Sequence, residues 1–309
     1  MKRARYAVIL VAIIALSAVI VTTSRSDGQR DAVEQLSVAI YTPMVQFANS
    51  TARLSYVQGL AKSLRASTGI PVRGLSFTSL SKLLRAKPDF AIVDGQCYAA
   101  NMNWRLLASA RIGGRTNRPW ALYSRLGPSL SSLRGKKLAF VKTGCDDSDF
   151  IDNAMLESEI DDRFFGEQLG KTDLAGALAL VATYKGAHAV FAPLGSHKGL
   201  PKVFDSGSVP NPAFVQLNSR LANDLVDRVR ETVIGYGGSS AIDGWSAGKT
   251  QQYRALRRRM AKRVKRGLFA VPEPMRLDAN EYLIEPASVG ENDLPQIEQN
   301  FEKPPERQE

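Results

Sequence analysis

The stretch KTGCDDSDF at 142–150 combines one thiol, that of Cys145, with the three carboxylates of Asp146, Asp147 and Asp149. It follows the apolar run KLAFV and precedes FIDNAMLESEI, which has helical spacing, so we expect a turn from a strand into a helix. A thiol near acids could act as a nucleophile or hold a metal. Acids at a helix start can also bind a ligand or cap the helix.

Catalysis needs further groups, and the sequence offers few of them. Its two histidines, His188 and His197, do not have the spacing of a metal-binding HExxH motif, and no GxSxG motif is present. His188 lies in the apolar run GAHAVFAP, which predicts a packed core residue. Nothing in the pattern brings a histidine to Cys145. We therefore expect a protein that is not an enzyme, with no catalytic residue, no metal and no cofactor.

The N-terminus predicts export. The basic MKRAR is followed by the apolar run YAVILVAIIALSAVIV, so residues 1–30 form a signal peptide or an uncleaved inner-membrane anchor at 6–23, and both readings stay open. Residues from about 30 onward then lie in the periplasm or another extracytoplasmic space. The formal net charge of +11 favours anionic partners, and this location excludes nucleic acid.

Strands and helices alternate along the chain. Apolar runs predict strands at 36–41, 71–77, 89–95 and 104–112, separated by helical patterns. This order predicts an α/β protein with mostly parallel sheets flanked by helices. The block at 118–212 has its own strands and helices, so we expect lobe 1 (31–117 with 213–285), lobe 2 (118–212) and a disordered tail rich in Pro, Glu and Gln (286–309).

Several segments carry a resemblance to a known family. They are LSVAIYTP, SLSKLLRAKPDFAIVDGQCYAAN, SLSSLRGKKLAFVKTG and LALVATYKGAHAVFAPLG. Over about 36–255 the chain resembles the type 2 periplasmic-binding fold, and within it the phosphate/phosphonate-type substrate-binding proteins of ABC transporters. The resemblance implies two lobes with a ligand cleft between them. It also implies an exported solute-binding protein that captures a small anionic ligand, phosphonate- or phosphate-like or amino-bearing, for an ABC permease. The alternative is a membrane-tethered sensor or partner-binding module on the same fold.

The resemblance also places the ligand on turns at the ends of strands. The implied ligand-binding residues are Tyr41, Thr42, Thr78, Ser79, Asp94, Gln96, Tyr98, Thr143, Cys145, Asp146, Asp147 and Ser148. The sequence departs from the family at TGCDDSD, where related proteins carry a turn rich in Ser, Thr and Gly. Carboxylates beside an anionic ligand would repel it. Either the acids point away and cap the helix, or they bind a cationic group of the ligand.

The two cysteines lie on turns that this arrangement assigns to opposite lobes. We expect Cys97 and Cys145 to approach each other when the lobes close, and a disulfide there would lock the cleft. The alternative is two independent small buried residues.

The basic stretch YRALRRRMAKRVKR predicts an amphipathic helix. Its apolar stripe consists of Tyr253, Leu256, Met260 and Val264. Two readings stay open: a helix docked on the lobe with a solvated basic face, or contact with anionic lipid headgroups or a transporter's membrane subunits.

Overall fold

The computed structural model describes residues 34–156, 164–238 and 241–262. The predicted export signal or anchor, Val264 and the predicted disordered tail lie outside this part of the chain. Within the described residues, no helix combines the length and the apolar character needed to cross a membrane.

The first sheet has six strands, in the order β11-β4-β10-β3-β1-β2. Together with its helices it forms lobe 1. The strands are β1 (Leu36–Tyr41), β2 (Val72–Ser76), β3 (Phe90–Val93), β4 (Arg105–Arg111), β10 (Ala213–Gln216) and β11 (Gly244–Ala247). The helices are α1 (Ser50–Thr68), α2 (Leu80–Ala86), α3 (Gly95–Ala100) and α6 (Asn223–Gly235).

The second sheet has five strands, in the order β7-β6-β8-β5-β9, and is the sheet of lobe 2. Its strands are β5 (Asn117–Ser124), β6 (Lys137–Val141), β7 (Glu167–Lys171), β8 (Ala189–Pro193) and β9 (Lys202–Pro210). A 3-10 turn at Ser131–Leu133, helix α4 (Asp147–Asp149, continuing as a π-helix over Phe150–Met155) and α5 (Leu174–Ala182) accompany it.

Local sequence explains how α1 is delimited. The Asn49 side chain accepts a hydrogen bond from Ala52 N at 2.8 Å, which satisfies a free amide at the helix start. Gly69 ends the helix in a left-handed conformation with φ 74° that favours glycine. Between these ends Val57, Leu60 and Leu64 are buried and pack on the first sheet.

The two-lobed α/β fold is confirmed, and both sheets are mixed rather than mostly parallel. In lobe 1, β1 pairs in parallel with β2 and β3, whereas β10 runs antiparallel to β3 and β4. In lobe 2, β6 is parallel to β7 and β8, and β5 is antiparallel to β8 and β9. The antiparallel pairs arise because the chain crosses between the lobes and returns in the opposite direction.

The predicted core position of His188 is wrong. The residue is half-buried just before β8, and its Nδ1 accepts a hydrogen bond from Lys137 N at 3.2 Å. Burial and the neighbouring Arg125 and lysines lower its pKa. The imidazole therefore satisfies a backbone amide at the sheet margin.

The last described helix, α7 (Thr250–Ala261), contacts both lobes. Tyr253 packs edge-on against Tyr98 of α3 with ring centroids 4.8 Å apart. At the other end of α7, Met260 O accepts a hydrogen bond from Asn153 Nδ2 of lobe 2 at 2.7 Å. Arg259 donates to Ser206 O of β9 at 2.7 Å. The predicted stripe is confirmed for its three described members, all of which are buried.

Candidate functional site

Polar strand ends of the two lobes meet at one place, which we call the seam. The seam consists of Tyr41 at the end of β1, Asp94 to Gln96 after β3, and the turn Thr143 to Asp147 after β6. The Tyr41 hydroxyl donates to Thr143 O at 2.8 Å. Gln96 Nε2 donates to Cys145 O at 2.6 Å. Both hydrogen bonds are buried, so the lobes are in direct contact here.

A disulfide joins the lobes at the seam. The sulfur atoms of Cys97, in α3, and Cys145, in the turn after β6, are 1.98 Å apart, and the two Cα atoms are 5.0 Å apart. The prediction that these cysteines approach each other is confirmed. Neither residue offers a thiolate in this state, so a Cys145 nucleophile is absent from the structure. Within the described ranges, no cluster of three or more His, Cys, Asp or Glu is placed to hold a metal ion.

The Asp147 carboxylate lies at the centre of the seam and accepts hydrogen bonds from four donors. These are Thr143 N at 3.1 Å, Thr143 Oγ1 at 2.6 Å, Gly144 N at 2.9 Å and Gln96 Nε2 at 2.9 Å. We call these four donors the cradle. Gly144 has φ 73°, a conformation that brings its amide toward the carboxylate and favours glycine.

The sequence left two alternatives for the acids, helix capping or contact with a ligand, and the hydrogen bonds of Asp146 and Asp147 include no side-chain cap of α4. Asp146 is the N-cap residue of α4 and makes no side-chain capping hydrogen bond. Asp147 bonds to the turn that precedes the helix and to Gln96 of the opposite lobe. Its negative charge therefore stabilises the seam.

Asp94 supplies a second carboxylate, which is almost fully buried at 1% exposure. Its Oδ2 accepts a hydrogen bond from Met44 N at 2.9 Å. Burial raises the pKa of Asp94 to about 7, and the Met44 amide and Arg118 partly oppose that rise. At neutral pH this group consequently exchanges between its neutral and ionised forms.

The two chain crossings between the lobes are tied together at Asn211. Arg118, on the first crossing, donates from Nε to Asn211 Oδ1 at 2.8 Å. Asn211 Nδ2 donates to Arg115 O at 2.7 Å, and Asn211 N donates to Thr116 O at 2.8 Å. Arg118 and Asn211 were not predicted from the sequence. The only indication of them in the sequence is that polar residues lie near the predicted lobe boundaries at 117 and 212.

A small cavity of about 10 Å³ remains beside Asp147. This is about the space of one water molecule. Its walls are Met44, Trp120, Phe140, Val141, Asp147, Phe150, Ile151 and Phe191. Among the described residues, the buried Trp120 Nε1, Thr42 Oγ1 and Gln96 Oε1 have no hydrogen-bond partner. The cavity is thus mainly apolar, and its lining residues include Asp147 and Trp120.

The structure brings together about half of the predicted ligand residues. Those that make contacts at the seam are Tyr41, Asp94, Gln96, Thr143, Cys145 and Asp147, and Thr42 is buried directly after Tyr41. The others lie apart from these contacts. Thr78, Asp146 and Ser148 are exposed, Ser79 caps α2 through Lys82 N, and Tyr98 packs on Tyr253.

Outside the seam, the outer side of α7 is basic. An open groove of about 540 Å³ is lined by Gln251, Arg254, Arg257, Arg258 and Ala261. Three guanidinium groups on one helix face make this groove strongly positive and suited to an anionic partner.

No protein-family model and no curated protein sequence matches the chain. Among solved structures, the binding protein component of an ABC phosphonate transporter from Pseudomonas aeruginosa is 14% identical with a TM-score of 0.58, covering 76% of this chain and 90% of that one. PhnD1 from Prochlorococcus marinus, in complex with methylphosphonate, is 11% identical with a TM-score of 0.57 and coverages of 73% and 97%. A Xanthomonas citri protein bound to ATP is 12% identical with a TM-score of 0.54 and coverages of 74% and 97%. At these identities the likeness concerns the fold.

Proposed function

Because the chain has the fold of type 2 periplasmic binding proteins, we propose that it is an exported, extracytoplasmic solute-binding protein. It binds a small anionic ligand between the two lobes and delivers it to an ABC permease. The proposal also divides the lobes near residues 117 and 212. It further includes an N-terminal segment, residues 6–23, that is either retained as a membrane anchor or removed with the signal peptide.

The observation that carries the proposal is the cradle. It gathers two backbone amides, a hydroxyl and a carboxamide N–H from strand ends of both lobes around one negatively charged group. Such donors recognise carboxylate and phosphonate oxygens. Ligands of open α/β sheets bind at the carboxyl ends of strands, where these residues lie.

The second carboxylate narrows the ligand class. An ionised Asp94 lies in the same seam and would attract a cationic group. A ligand with an acidic group for the cradle and an amino group for Asp94 satisfies both ends of the site. We therefore favour an amino-bearing zwitterion, such as an aminoalkylphosphonate or an amino acid, over a plain dianion.

Ligand entry requires the seam to part, and the disulfide opposes this. We therefore expect binding to be strongest in the reduced protein. The test is thermal unfolding of the full chain with phosphate, methylphosphonate, 2-aminoethylphosphonate and glutamate, each with and without dithiothreitol. A ligand at 100 times its Kd stabilises the folded state by about 2.7 kcal/mol. If no compound raises the Tm in either redox state, solute binding by this seam is refuted.

The alternative is a sensor or partner-binding module that takes up no solute. Two observations favour it: a covalently joined seam with a cavity of only about 10 Å³, and the basic groove on α7. Its test is co-purification of a non-transporter partner from membranes. The partner should be lost with Arg254→Glu and Arg258→Glu and retained with Cys97→Ala and Cys145→Ala.

A further inference from the structure

The cradle already holds an anion, and that anion belongs to the chain. We propose that Asp147 is an internal ligand: its carboxylate takes the donors that the acidic group of a solute would take, so that the seam closes without solute. This inference rests on the proposed function, because it assigns the occupant of the same site.

The number and origin of the donors support this assignment. Four hydrogen bonds to one carboxylate satisfy nearly all of its acceptor capacity, and bonds to an ionised group are about twice as strong as neutral ones. One of the four comes from Gln96 of lobe 1, whereas Asp147 belongs to lobe 2. The carboxylate therefore connects the lobes in the way that a bound solute would.

A buried donor beside Asp147 supports the assignment independently of these bonds. Trp120 is 2% exposed and lines the cavity beside Asp147, and its Nε1 has no partner among the described residues. A buried donor without a partner costs free energy. An acidic group larger than a carboxylate, placed where Asp147 now lies, would extend toward this cavity, which Trp120 lines.

The consequence is competition. An external anion and the Asp147 carboxylate cannot occupy the same donors, so a solute must displace Asp147. The apparent Kd of a solute is then its intrinsic Kd divided by the fraction of molecules in which the cradle is empty. Removing the side chain should free the cradle and allow a small anion to replace it.

The experiment uses the full chain carrying Cys97→Ala and Cys145→Ala, so that neither the disulfide nor a reductant affects the result. Nitroxide labels at Ala66→Cys on α1 and Lys136→Cys before β6, both exposed, report the distance between the lobes by double electron–electron resonance. Asp147→Ala is added to one sample. Asp149→Ala, which removes an exposed acid of the same helix, is the matched control.

Without any additive, the parent and the Asp149→Ala chain should show one short, closed distance. Asp147→Ala should lower the closed-to-open ratio at least about tenfold, equivalent to about 1.4 kcal/mol. Formate, which restores the missing carboxylate, should return the closed distance, and the neutral isostere formamide should not.

Two results would overturn the inference. One is an Asp147→Ala chain as closed as its parent. The other is an open variant that formate does not close. Neither depends on the solute panel. If formate closes the variant but no panel compound binds the reduced native chain, the internal ligand stands and the solute-binding proposal fails.

Discussion

Loss of the Cys97–Cys145 disulfide should destabilise the folded chain substantially. The two cysteines are 48 residues apart in sequence, so the bond closes a long loop in the unfolded state. The loop-entropy relation for that length gives about 4 kcal/mol at 25 °C. For a folded unit of about 200 residues, 1 kcal/mol shifts the Tm by about 2–4 °C, so the expected loss is about 8–16 °C.

Thermal unfolding followed by circular dichroism measures this loss. The oxidised native chain is compared with the same chain in dithiothreitol and with the Cys97→Ala and Cys145→Ala double variant. The reduced native chain keeps both side chains, so it isolates the bond from the effect of truncating two buried residues. The double variant has no disulfide, so its Tm should not respond to dithiothreitol.

A Tm difference below about 4 °C between the oxidised and reduced native chains would refute this reasoning, because it corresponds to at most about 2 kcal/mol. Two free thiols in the native, unreduced protein would refute its premise. The thiols are counted by alkylation and mass spectrometry after unfolding.

Three further perturbations test other parts of the structure. Because burial raises the pKa of Asp94 to about 7, its contribution to stability is present below about pH 4 and is lost as pH rises through 7. Between pH 4 and 8 the free energy of unfolding of the native chain should therefore fall by up to about 4 kcal/mol because of this group. Asp94→Asn cannot ionise and should lack this part of the fall. Urea titration at each pH measures the difference. Tyr253→Phe removes a buried hydroxyl within hydrogen-bond distance of Ser109 Oγ at 3.1 Å and should cost about 0.5–1.5 kcal/mol by the same titration. In Gly95→Ala the new Cβ would lie 2.1 Å from a backbone oxygen, whereas in Gly237→Ala it would meet nothing within 4 Å. The first should lower the Tm by several degrees more than the second, and equal Tm values would contradict the close approach.

The elements that were predicted from the sequence are those whose apolar pattern is strong. The runs LSVAIY and KLAFV become β1 and β6 almost to the residue, and the helical pattern between the strands predicted at 36–41 and 71–77 is α1. The strands β7 and β11 were not predicted. Both lie at sheet edges, and their sequences EQLGK and GWSA have no continuous apolar run. Without such a run the sequence carries no strand signal, and only the pairing of β7 with β6 and of β11 with β4 defines these two strands.

At the candidate site, the sequence predicted the turns but not the contacts between them. The position of Asp147 after β6 follows from strand-to-helix reasoning. Its bond to Gln96 does not, because the two residues lie on separate lobes and only the tertiary arrangement brings them together. The same holds for Arg118 and Asn211, whose pairing depends on the two chain crossings running side by side.

The place of β10 in the first sheet affects the order in which the two lobes can fold while the chain is synthesised from its N-terminus. This strand lies between β3 and β4 but follows all of lobe 2 in the sequence. Until residue 216 has emerged, β3 and β4 each expose an unpaired edge, and such edges invite association with other chains. The strands of lobe 2, at 117–210, can pair earlier because all of them have emerged by then. Lobe 2 is therefore expected to fold first. The N-terminal strands of lobe 1 can complete their sheet only after β10 has emerged.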